Sequence, residues 1–444
     1  MLQAVSNNPQ IVNKRNALVS AGYLLDSAEW GRFPSFSTDI NTLETGGSNT
    51  TIRIEQPLWT GGRITGQIGL AEATLEAARA SLGDTEQKIL LETATAYFDV
   101  LRFEAKLKIA LQNEIEHLRL VESMSRRVES EISPKADLIQ AETRLRQTTA
   151  ERIQLENQVA VSRITLEQLT GFRVEEIERP SRFNTEIGTI TEILETAIAF
   201  SPERARLVFE ATIAEEEIKL NRSQAMPNVV LGYQRRMGTV FFTPDNNQLY
   251  LGLRLAPGAG LSSLSNINAA KATKDAALNV IESFDRRVAK EVQSVWSERN
   301  ALLSQAKQVR ASVMGADEVI ESYLRQFQVG KKNWLEVLNA QREKAVAYYA
   351  YTDVEYPLEL MSIHLLILTG QLQAKQLDMS KFFSRDVPIE QEQKKFDFNI
   401  IMNQSTIPSV NNATFSSKTK KNIEKKPWLE VFKPTLTRKL LNVK

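Results

Sequence analysis

The chain has 444 residues, of which 25% are charged and 42% hydrophobic, so its composition is that of a folded protein rather than a disordered one. Lysine and arginine number 55 against 54 aspartates and glutamates, and this balance gives no basic excess that would indicate a nucleic-acid partner. Cysteine is absent and the only histidines are His117 and His364, which excludes disulfides, thiolate metal sites and most histidine-based metal or catalytic sites. With only 19 glycines and 14 prolines, the composition favours long helices over an all-β fold.

The first half of the chain predicts a helix, a pair of strands and a helical hairpin. The strands are indicated by alternation, since Ile52 and Ile54 are separated by Arg53. Gly171 supplies a stop for the returning arm of the hairpin. In chain order, the predicted elements are a helix over 3–31, strands over about 34–43 and 50–58, and a helical hairpin over 64–170 with arms over 64–132 and 134–170.

The second half repeats this order. Asn8-Pro9 corresponds to Ser201-Pro202 at an offset of 193, and Thr170-Gly171 corresponds to Thr369-Gly370 at an offset of 199. We therefore predict two tandem structural repeats, each with the order helix, strand, strand, long helix, helix. The first repeat covers 1–195 and the second covers 196–370, with a helix over 196–225, strands over about 228–236 and 248–256, and a helical hairpin over 262–370.

Apolar residues recur every 3.5 positions along the long helix of the second repeat, which is typical of coiled-coil packing. The residues of this seam are Val288, Val292, Val295, Arg299, Leu302, Ala306, Val309, Val313, Ala316, Ile320, Tyr323 and Phe327. A weaker seam runs from Leu138 to Leu169 in the first repeat. The summed length of the two shorter helices of each repeat matches the length of the long helix, which would span roughly 100 Å at 1.5 Å per residue. An antiparallel helical wall is therefore predicted.

The four predicted strands are apolar on one face and polar or charged on the other. Leu249, Leu251 and Leu253, for example, alternate with polar or small residues. A soluble sandwich could show the same alternation, but no second sheet is predicted to cover the apolar face. Closing a barrel removes strand edges, and four strands are too few to enclose a water-filled lumen. Several chains are therefore predicted to share one barrel, with its apolar face toward lipid.

The end of the chain differs from the two repeats. Residues 371–444 contain 14 lysines and arginines against 7 aspartates and glutamates, and are predicted to form a polar, basic, mostly irregular tail. No stretch reaches the roughly 18 apolar residues of a transmembrane helix. No secretory signal precedes the first predicted helix, so we expect the start to be incomplete.

Five short motifs stand at the ends of the predicted helices and strands. They are Asn8-Pro9-Gln10, Phe33-Pro34-Ser35, Gln56-Pro57-Leu58-Trp59-Thr60-Gly61-Gly62-Arg63, Asp137-Leu138-Ile139-Gln140-Ala141-Glu142, and Gly330-Lys331-Lys332-Asn333-Trp334-Leu335-Glu336-Val337-Leu338-Asn339-Ala340-Gln341. On these motifs and the repeat, the chain resembles the TolC family of outer-membrane export channels over residues 3–371.

The resemblance implies a mainly α protein with a membrane β-barrel. It implies a homotrimer with a shared twelve-stranded barrel in outer-membrane lipid, continued by a coiled-coil tunnel in the periplasm. A periplasmic adaptor (membrane-fusion) protein and an inner-membrane transporter are the implied partners, and neither an enzyme activity, a cofactor nor a nucleic-acid partner is expected. Segments 44–49 and 236–247, which link the strand pairs, are expected to be cell-surface loops.

Within the family, the second-repeat turn and segment 257–265 look most like the branch that serves type I secretion of adhesins or agglutination proteins, whose inner-membrane partner is an ABC transporter. The alternative within the same fold is a multidrug or small-molecule efflux channel, which would work with a proton-driven transporter. The alternative from another class is a soluble coiled-coil scaffold.

The resemblance also assigns roles to residues at the helical turns and the strand–helix junctions. Acidic residues that ring the periplasmic entrance match Glu336 and Asn339, with Asp137 and Gln140 at the equivalent positions of the first repeat. A tyrosine and an arginine of the tunnel-closing network match Phe327 and Lys332. The residues expected to contact the adaptor are Val128, Glu131, Ser133, Val329, Gly330 and Lys331. The residues expected at the strand–helix junctions are Pro34, Pro57, Gly61, Gly62, Pro227 and Pro257. Another interpretation of Glu336 and Asp137 is that they are solvated helix-end charges.

Overall fold

The computed structural model describes residues 8–42, 48–174, 177, 188–238, 246–256, 258–260 and 262–372. Within them the predicted order of helices and strands is confirmed in both repeats. The elements are α1 (Pro9–Trp30), β1 (Ser35–Thr42), β2 (Ser48–Trp59), α2 (Arg63–Glu129), α3 (Lys135–Thr170), α4 (Ile190–Phe200), α5 (Pro202–Gln224), β3 (Asn228–Gly238), β4 (Asn246–Arg254), α6 (Ser262–Gln328) and α7 (Trp334–Leu368). The tail beyond 372, Pro257 and most of both predicted loops lie outside the described residues.

The single helix predicted over 196–225 is instead two helices, and the predicted repeat boundary at 195/196 falls inside the first of them. α4 begins at a capping box in which the Thr189 N–H donates to Glu192 Oε2 at 2.9 Å. The break lies at Ser201, whose side chain accepts a hydrogen bond from the Arg204 N–H at 3.2 Å. Pro202 explains the break, because proline lacks an N–H and disfavours helical geometry in the residue before it.

The coiled-coil seams are confirmed by burial. Every position of the α6 seam from Val288 to Phe327 is buried or half-buried, as is every position of the α3 seam. Arg299, the polar member, donates from Nε to Ser362 Oγ of α7 at 3.1 Å, which supplies the hydrogen bond that a half-buried guanidinium needs. Burial also lowers the pKa of Arg299.

The helices pack side by side in a defined lateral order. α1 and α3 both pack along α2, and α5 and α7 pack between α2 and α6. Two short helices therefore lie beside one long helix in each repeat, as their lengths predict. One lateral border of this helical layer is formed by α1 and α3, and the other by α6.

The strands form one antiparallel sheet in the order β1-β2-β3-β4. Its register sorts apolar and polar residues into separate cross-strand rows, because paired residues share a face. One row consists of Phe36, Ile54, Tyr233 and Leu249, and the adjacent row consists of Ser35, Glu55, Gly232 and Tyr250. The predicted two-faced sheet is therefore confirmed, and its apolar face is open, with Leu249 72% exposed.

On the polar face a tyrosine reaches across a glycine. The Tyr250 hydroxyl donates to Glu55 Oε1 at 2.6 Å, which links β4 to β2 over the intervening strand β3. A Cβ atom at Gly232 would lie 2.2 Å from Tyr250 Cζ, so only glycine allows the ring to take this path. Arg53 lies 3.8 Å from the same carboxylate, and a band of polar side chains therefore crosses the sheet.

The two hairpin turns differ at one backbone position. Gly330 of the second repeat has φ of 72°, a left-handed conformation that glycine adopts readily. The equivalent residue of the first repeat, 199 positions earlier, is Glu131, with φ of 59°. A side chain in this region costs about 1–2 kcal/mol, so the first turn is strained where the second is not.

We expect Glu131→Gly to stabilise the protein by about 0.5–1 kcal/mol, since relief of strain exceeds the entropy that glycine loses on folding. Gly330→Ala should lower stability by about 0.5–1 kcal/mol, because it creates the same strain in the second turn and the lower chain entropy of alanine offsets part of it. Thermal unfolding followed by circular dichroism checks both changes. A lower melting temperature for Glu131→Gly would show that the Glu131 side chain stabilises the turn.

Candidate functional site: the hairpin tips

The turns of the two helical hairpins meet in one cluster. The buried residues of this cluster come from both repeats and are Met124, Ala141, Ile320, Trp334, Val337, Leu338 and Ala340. The end of α2, the start of α3, the end of α6 and the start of α7 are therefore packed together. The predicted entrance residues all belong to this tip region.

Glu336 lies in the first turn of α7 and serves as part of its N-terminal cap. Its Oε2 accepts from the Asn333 N–H at 3.0 Å, and its Oε1 accepts from Lys332 Nζ at 2.7 Å. These two donors, Lys332 first, lower the pKa of Glu336. Glu336 is therefore a fixed negative charge at the tip, held by local hydrogen bonds and only half-buried.

Lys332 is held from two sides. Besides its contact with Glu336, its ammonium lies 4.2 Å from the centroid of the Tyr323 ring on α6, in cation–π geometry. The hydrogen bond to Glu336 is the main cause that raises its pKa. Lys332 and Glu336 form an i, i+4 ion pair, which is weak because both charges are accessible to solvent.

Phe327 lies in the packed contact between the two hairpins. Arg127 of α2 places Cζ 4.8 Å from the Phe327 ring centroid, and the Trp334 ring lies 5.3 Å from it. The Arg127 side chain also donates from Nε to Ser133 Oγ at 3.3 Å. Phe327 thus makes an aromatic and a cation–π contact at the tips. Sequence reasoning missed Arg127, because nothing local to it indicates a partner 200 residues away.

The remaining predicted entrance residues lie in the first two turns of α3 and α7, with Gln140 and Asn339 at equivalent positions. Asp137 and Gln140 are half-buried on α3, and Asn339 is exposed on α7. The Asp137 N–H donates to the Pro134 carbonyl at 3.1 Å, which starts α3. Asp137 and Glu336 therefore place one carboxylate from each repeat in the first turn of a helix at the tip.

The residues predicted to contact an adaptor are mostly accessible. Val329 is 67% exposed, and the turn residues Glu131, Gly330 and Lys331 are exposed as well. Val128 and Ser133 are half-buried. Beside them, a cavity of about 270 Å³ opens between the hairpins, lined by Leu120, Ser123, Arg126, Arg127, Ser130, Ile132, Leu324, Phe327, Gln328 and Trp334.

A buried and an exposed polar contact join the second hairpin to the first above the tips. Gln341 Nε2 donates to Asn113 Oδ1 at 3.1 Å, and Lys106 Nζ lies 2.7 Å from an Asp353 oxygen. His117 is buried nearby, and burial together with Arg144 lowers its pKa to about 4. His117 is therefore neutral at physiological pH.

Four of the six residues predicted at the strand–helix junctions lie between a strand and a helix, and they are Pro34, Gly61, Gly62 and Pro227. Gly61 and Gly62 have φ of 59° and 91°, and a Cβ atom at Gly61 would lie 2.3 Å from the Met226 Cβ. Pro34 and Pro227 directly precede β1 and β3, while Pro57 lies within β2. The two glycines thus turn the chain from β2 into α2 at a point where the connector between α5 and β3, which contains Met226, passes close by.

Among the residues described, no group of three or more histidines, aspartates or glutamates could hold a metal ion. No helix in the described ranges is long and apolar enough to cross a membrane.

Comparisons with known proteins agree on one family. The profile of the family described as "Outer membrane efflux protein" matches residues 2–172 and 193–371. The chain is 22% identical over 354 residues to the outer membrane efflux protein BepC of Brucella suis, covering 79% of this chain and 76% of BepC. It is 23% identical over 315 residues to the outer membrane protein TolC of Vibrio cholerae, covering 68% and 72%. Its fold matches the outer-membrane channel OprN with a TM-score of 0.73 at 20% identity, covering 83% of this chain and 88% of OprN.

Proposed function

Because the chain belongs to the outer membrane efflux protein family, the TolC family of outer-membrane channels, we propose that it forms the exit duct of a tripartite export system. The observation that carries this proposal is the four-stranded sheet, with one exposed apolar face and one polar face, joined directly to the helical hairpins. The apolar face suits lipid and the polar face suits a water-filled lumen.

We propose a homotrimer in which three sheets close one twelve-stranded barrel. β1 is one edge of the sheet and β4 the other, and the helical layer likewise ends in α1 and α3 on one side and α6 on the other. Edge strands expose unpaired backbone groups, which cannot remain so in lipid. A head-to-tail contact between β1 of one chain and β4 of the next generates a ring. Closing that ring would pair the edge strands of the sheets and would also cover the lateral borders of the helical layer.

The hairpin tips are the proposed docking site for a periplasmic adaptor, which would connect the duct to an inner-membrane transporter. The exposed turns and the cavity between the hairpins support this, since together they offer an irregular surface with an aromatic floor. Phe327 and Trp334 supply the apolar surface, and Arg126 and Arg127 supply charge at its rim.

Two cargo classes remain candidates. Type I protein secretion, with an ABC transporter, rests on segment 257–265, of which Pro257 and Leu261 lie outside the described residues. Small-molecule efflux, with a proton-driven transporter, is favoured by the efflux role stated in the name of BepC. In a deletion strain, loss of a secreted protein would support the first class, and sensitivity to toxic small molecules would support the second.

The proposed duct predicts a detergent-dependent trimer that conducts ions. The full chain should need detergent because the apolar face of its sheet is exposed. Its mass in detergent should equal three chains, and the same particles should produce discrete current steps in planar bilayers. A conducting monomer would contradict the trimer, and a chain soluble without detergent that never conducts would favour a coiled-coil scaffold.

A further inference from the structure

The cavity between the hairpin tips combines an apolar surface with positive charge. Leu120 of α2 lines it from the first hairpin, and Leu324 and Phe327 of α6 line it from the second. Arg126 and Arg127 of α2 also line it, and none of its lining residues, all of which lie in the described part of the chain, is an aspartate or a glutamate. With a volume of about 270 Å³, the cavity can hold a small molecule, and its lining favours one that is apolar and negatively charged.

Trp334, at the start of α7, contributes a polar atom that lacks a partner. The residue lines the cavity and is 3% exposed, and its ring lies 5.3 Å from the Phe327 ring. Its Nε1 atom is buried and has no hydrogen-bond partner among the residues that the structure describes. A buried N–H without a partner is unfavourable, and folded proteins leave few of them. An acceptor atom on a ligand in the cavity would supply the missing partner.

The two arginines have N–H groups available for a ligand. Arg126 is exposed, and within the described ranges its guanidinium makes no hydrogen bond or ion pair. Arg127 uses its Nε to donate to Ser133 Oγ at 3.3 Å, which leaves its terminal nitrogens available. Glu129, the nearest carboxylate along the helix, accepts from Ser125 Oγ at 2.9 Å and does not line the cavity. A guanidinium presents its N–H groups in a fork that matches the two oxygens of a carboxylate, so these arginines suit a carboxylate ligand.

We propose that the cavity between the hairpins binds a small organic molecule in which a carboxylate is joined to an apolar ring. The ring would pack on Phe327 and Leu324, and the carboxylate would accept hydrogen bonds from Arg126 or Arg127. Arg127 and Trp334 both contact the Phe327 ring, so one such molecule can also reach the indole N–H. A bare phosphate or sulfate would leave the aromatic surface uncovered, and the arginines disfavour a cation.

Such a ligand would contact both hairpins, because its partners come from α2, α6 and α7. It would therefore stabilise the contact between them, since a ligand that binds only the folded tips adds its binding free energy to their stability. Binding itself does not require the chain to form a duct. Its consequence for export rests on the proposed function, because the ligand would occupy part of the surface proposed for the adaptor and would compete with it.

The test follows the fluorescence of Trp334 in the full chain in detergent. The changes W30F, W59F, W296F and W428F together leave Trp334 as the only tryptophan, and a matched chain keeps only Trp296, which lies on α6 and does not line the cavity. The probe is 3-(4-bromophenyl)propanoate, whose bromine quenches tryptophan. We expect saturable quenching of Trp334 and only linear, collisional quenching of Trp296. The neutral 3-(4-bromophenyl)propanamide controls for partition into detergent and should bind about tenfold more weakly, because it lacks the charge that the arginines attract.

The role of positive charge is tested at Arg126 in the chain that keeps Trp334. Arg126→Gln should raise the dissociation constant of the propanoate about tenfold and leave that of the propanamide unchanged. Arg119→Gln is the matched control, because Arg119 is also exposed on α2 but does not line the cavity. It should change neither constant. Equal affinities for the acid and the amide, or no effect of Arg126→Gln, would overturn the proposal.

A second measurement uses the chain with all its tryptophans, so it does not depend on the folding of a multiple variant. The propanoate should raise its melting temperature, because a ligand that binds only the folded state stabilises it, and the propanamide should raise it far less. Trp334→Phe keeps an aromatic ring but removes the N–H donor, and it should remove most of the shift. A melting temperature that the propanoate does not raise would overturn the proposal, and so would saturable quenching of Trp296. Neither result bears on conduction in bilayers, which tests the proposed duct separately.

Discussion

Leu338→Ala should destabilise the hairpin tips by about 2–5 kcal/mol, the usual cost of truncating a fully buried leucine. Leu338 is 1% exposed and lies in the cluster that joins both hairpins, with Val337 beside it at 0%. Truncation would remove contacts to the first repeat and leave a cavity next to the existing space between the tips. Chemical denaturation of the detergent-solubilised protein, followed by circular dichroism, measures the loss.

The matched control is Leu335→Ala on the same helix. Leu335 is 41% exposed, so the same truncation should change stability by no more than about 0.5 kcal/mol. Both changes keep the hydrogen bonds at the start of α7, since the Leu335 N–H that donates to Asn333 belongs to the backbone. Equal losses in the two variants would mean that the cluster at the tips does not hold the hairpins together.

Much of the fold could be predicted because it depends on periodic patterns. The seam residues of α6, Val292 among them, recur every 3.5 positions, and burial follows that period directly. The alternation of Ile52 and Ile54 with charged residues fixed which face of the sheet is polar, because a shift of one residue would exchange the faces.

What could not be predicted depends on contacts that leave no periodic pattern. The bulge near the end of β2, where the register shifts between Pro57 and Trp59, inserts one residue without a compositional signal. The contact of Arg127 with Phe327 joins residues 200 positions apart. The break at Ser201, in contrast, could have been predicted from the sequence. Pro202 is a local signal that divides the helix predicted over 196–225.

The entrance charges should control ion preference and block by cations. Three copies of Glu336 and Asp137 in a trimer would place like charges around one narrow opening, where they repel each other and attract cations. We therefore expect a preference for cations and a current block by a multivalent cation such as hexamminecobalt. Glu336→Gln should weaken both effects, and its combination with Asp137→Asn should abolish most of the block. Reversal potentials in a salt gradient and block titrations measure these changes.

Glu336→Gln is a clean change, because glutamine at this position can still accept from the Asn333 N–H and keep the capping box. Lys332 would lose the carboxylate partner that Glu336 provides but would keep its contact with the Tyr323 ring. Glu343→Gln, an exposed position two turns further along α7, removes the same charge away from the tip and is the matched control. It should leave reversal potential and block unchanged.

The pH dependence of the block follows from the lowered pKa of Glu336, whose first cause is the hydrogen bond from Lys332. A carboxylate with a lowered pKa stays charged below the ordinary range of glutamate, so block should persist there and disappear only as pH falls through the lowered value. Lys332→Gln removes that donor, so the block should then fade at a higher pH than in the unaltered channel. The Lys332–Glu336 pair is accessible to solvent, where an ion pair is too weak to keep an entrance closed, so opening should depend on the adaptor rather than on this pair. Unchanged selectivity and block in the Glu336→Gln, Asp137→Asn double variant would mean that both carboxylates are solvated helix-end charges with no role in conduction.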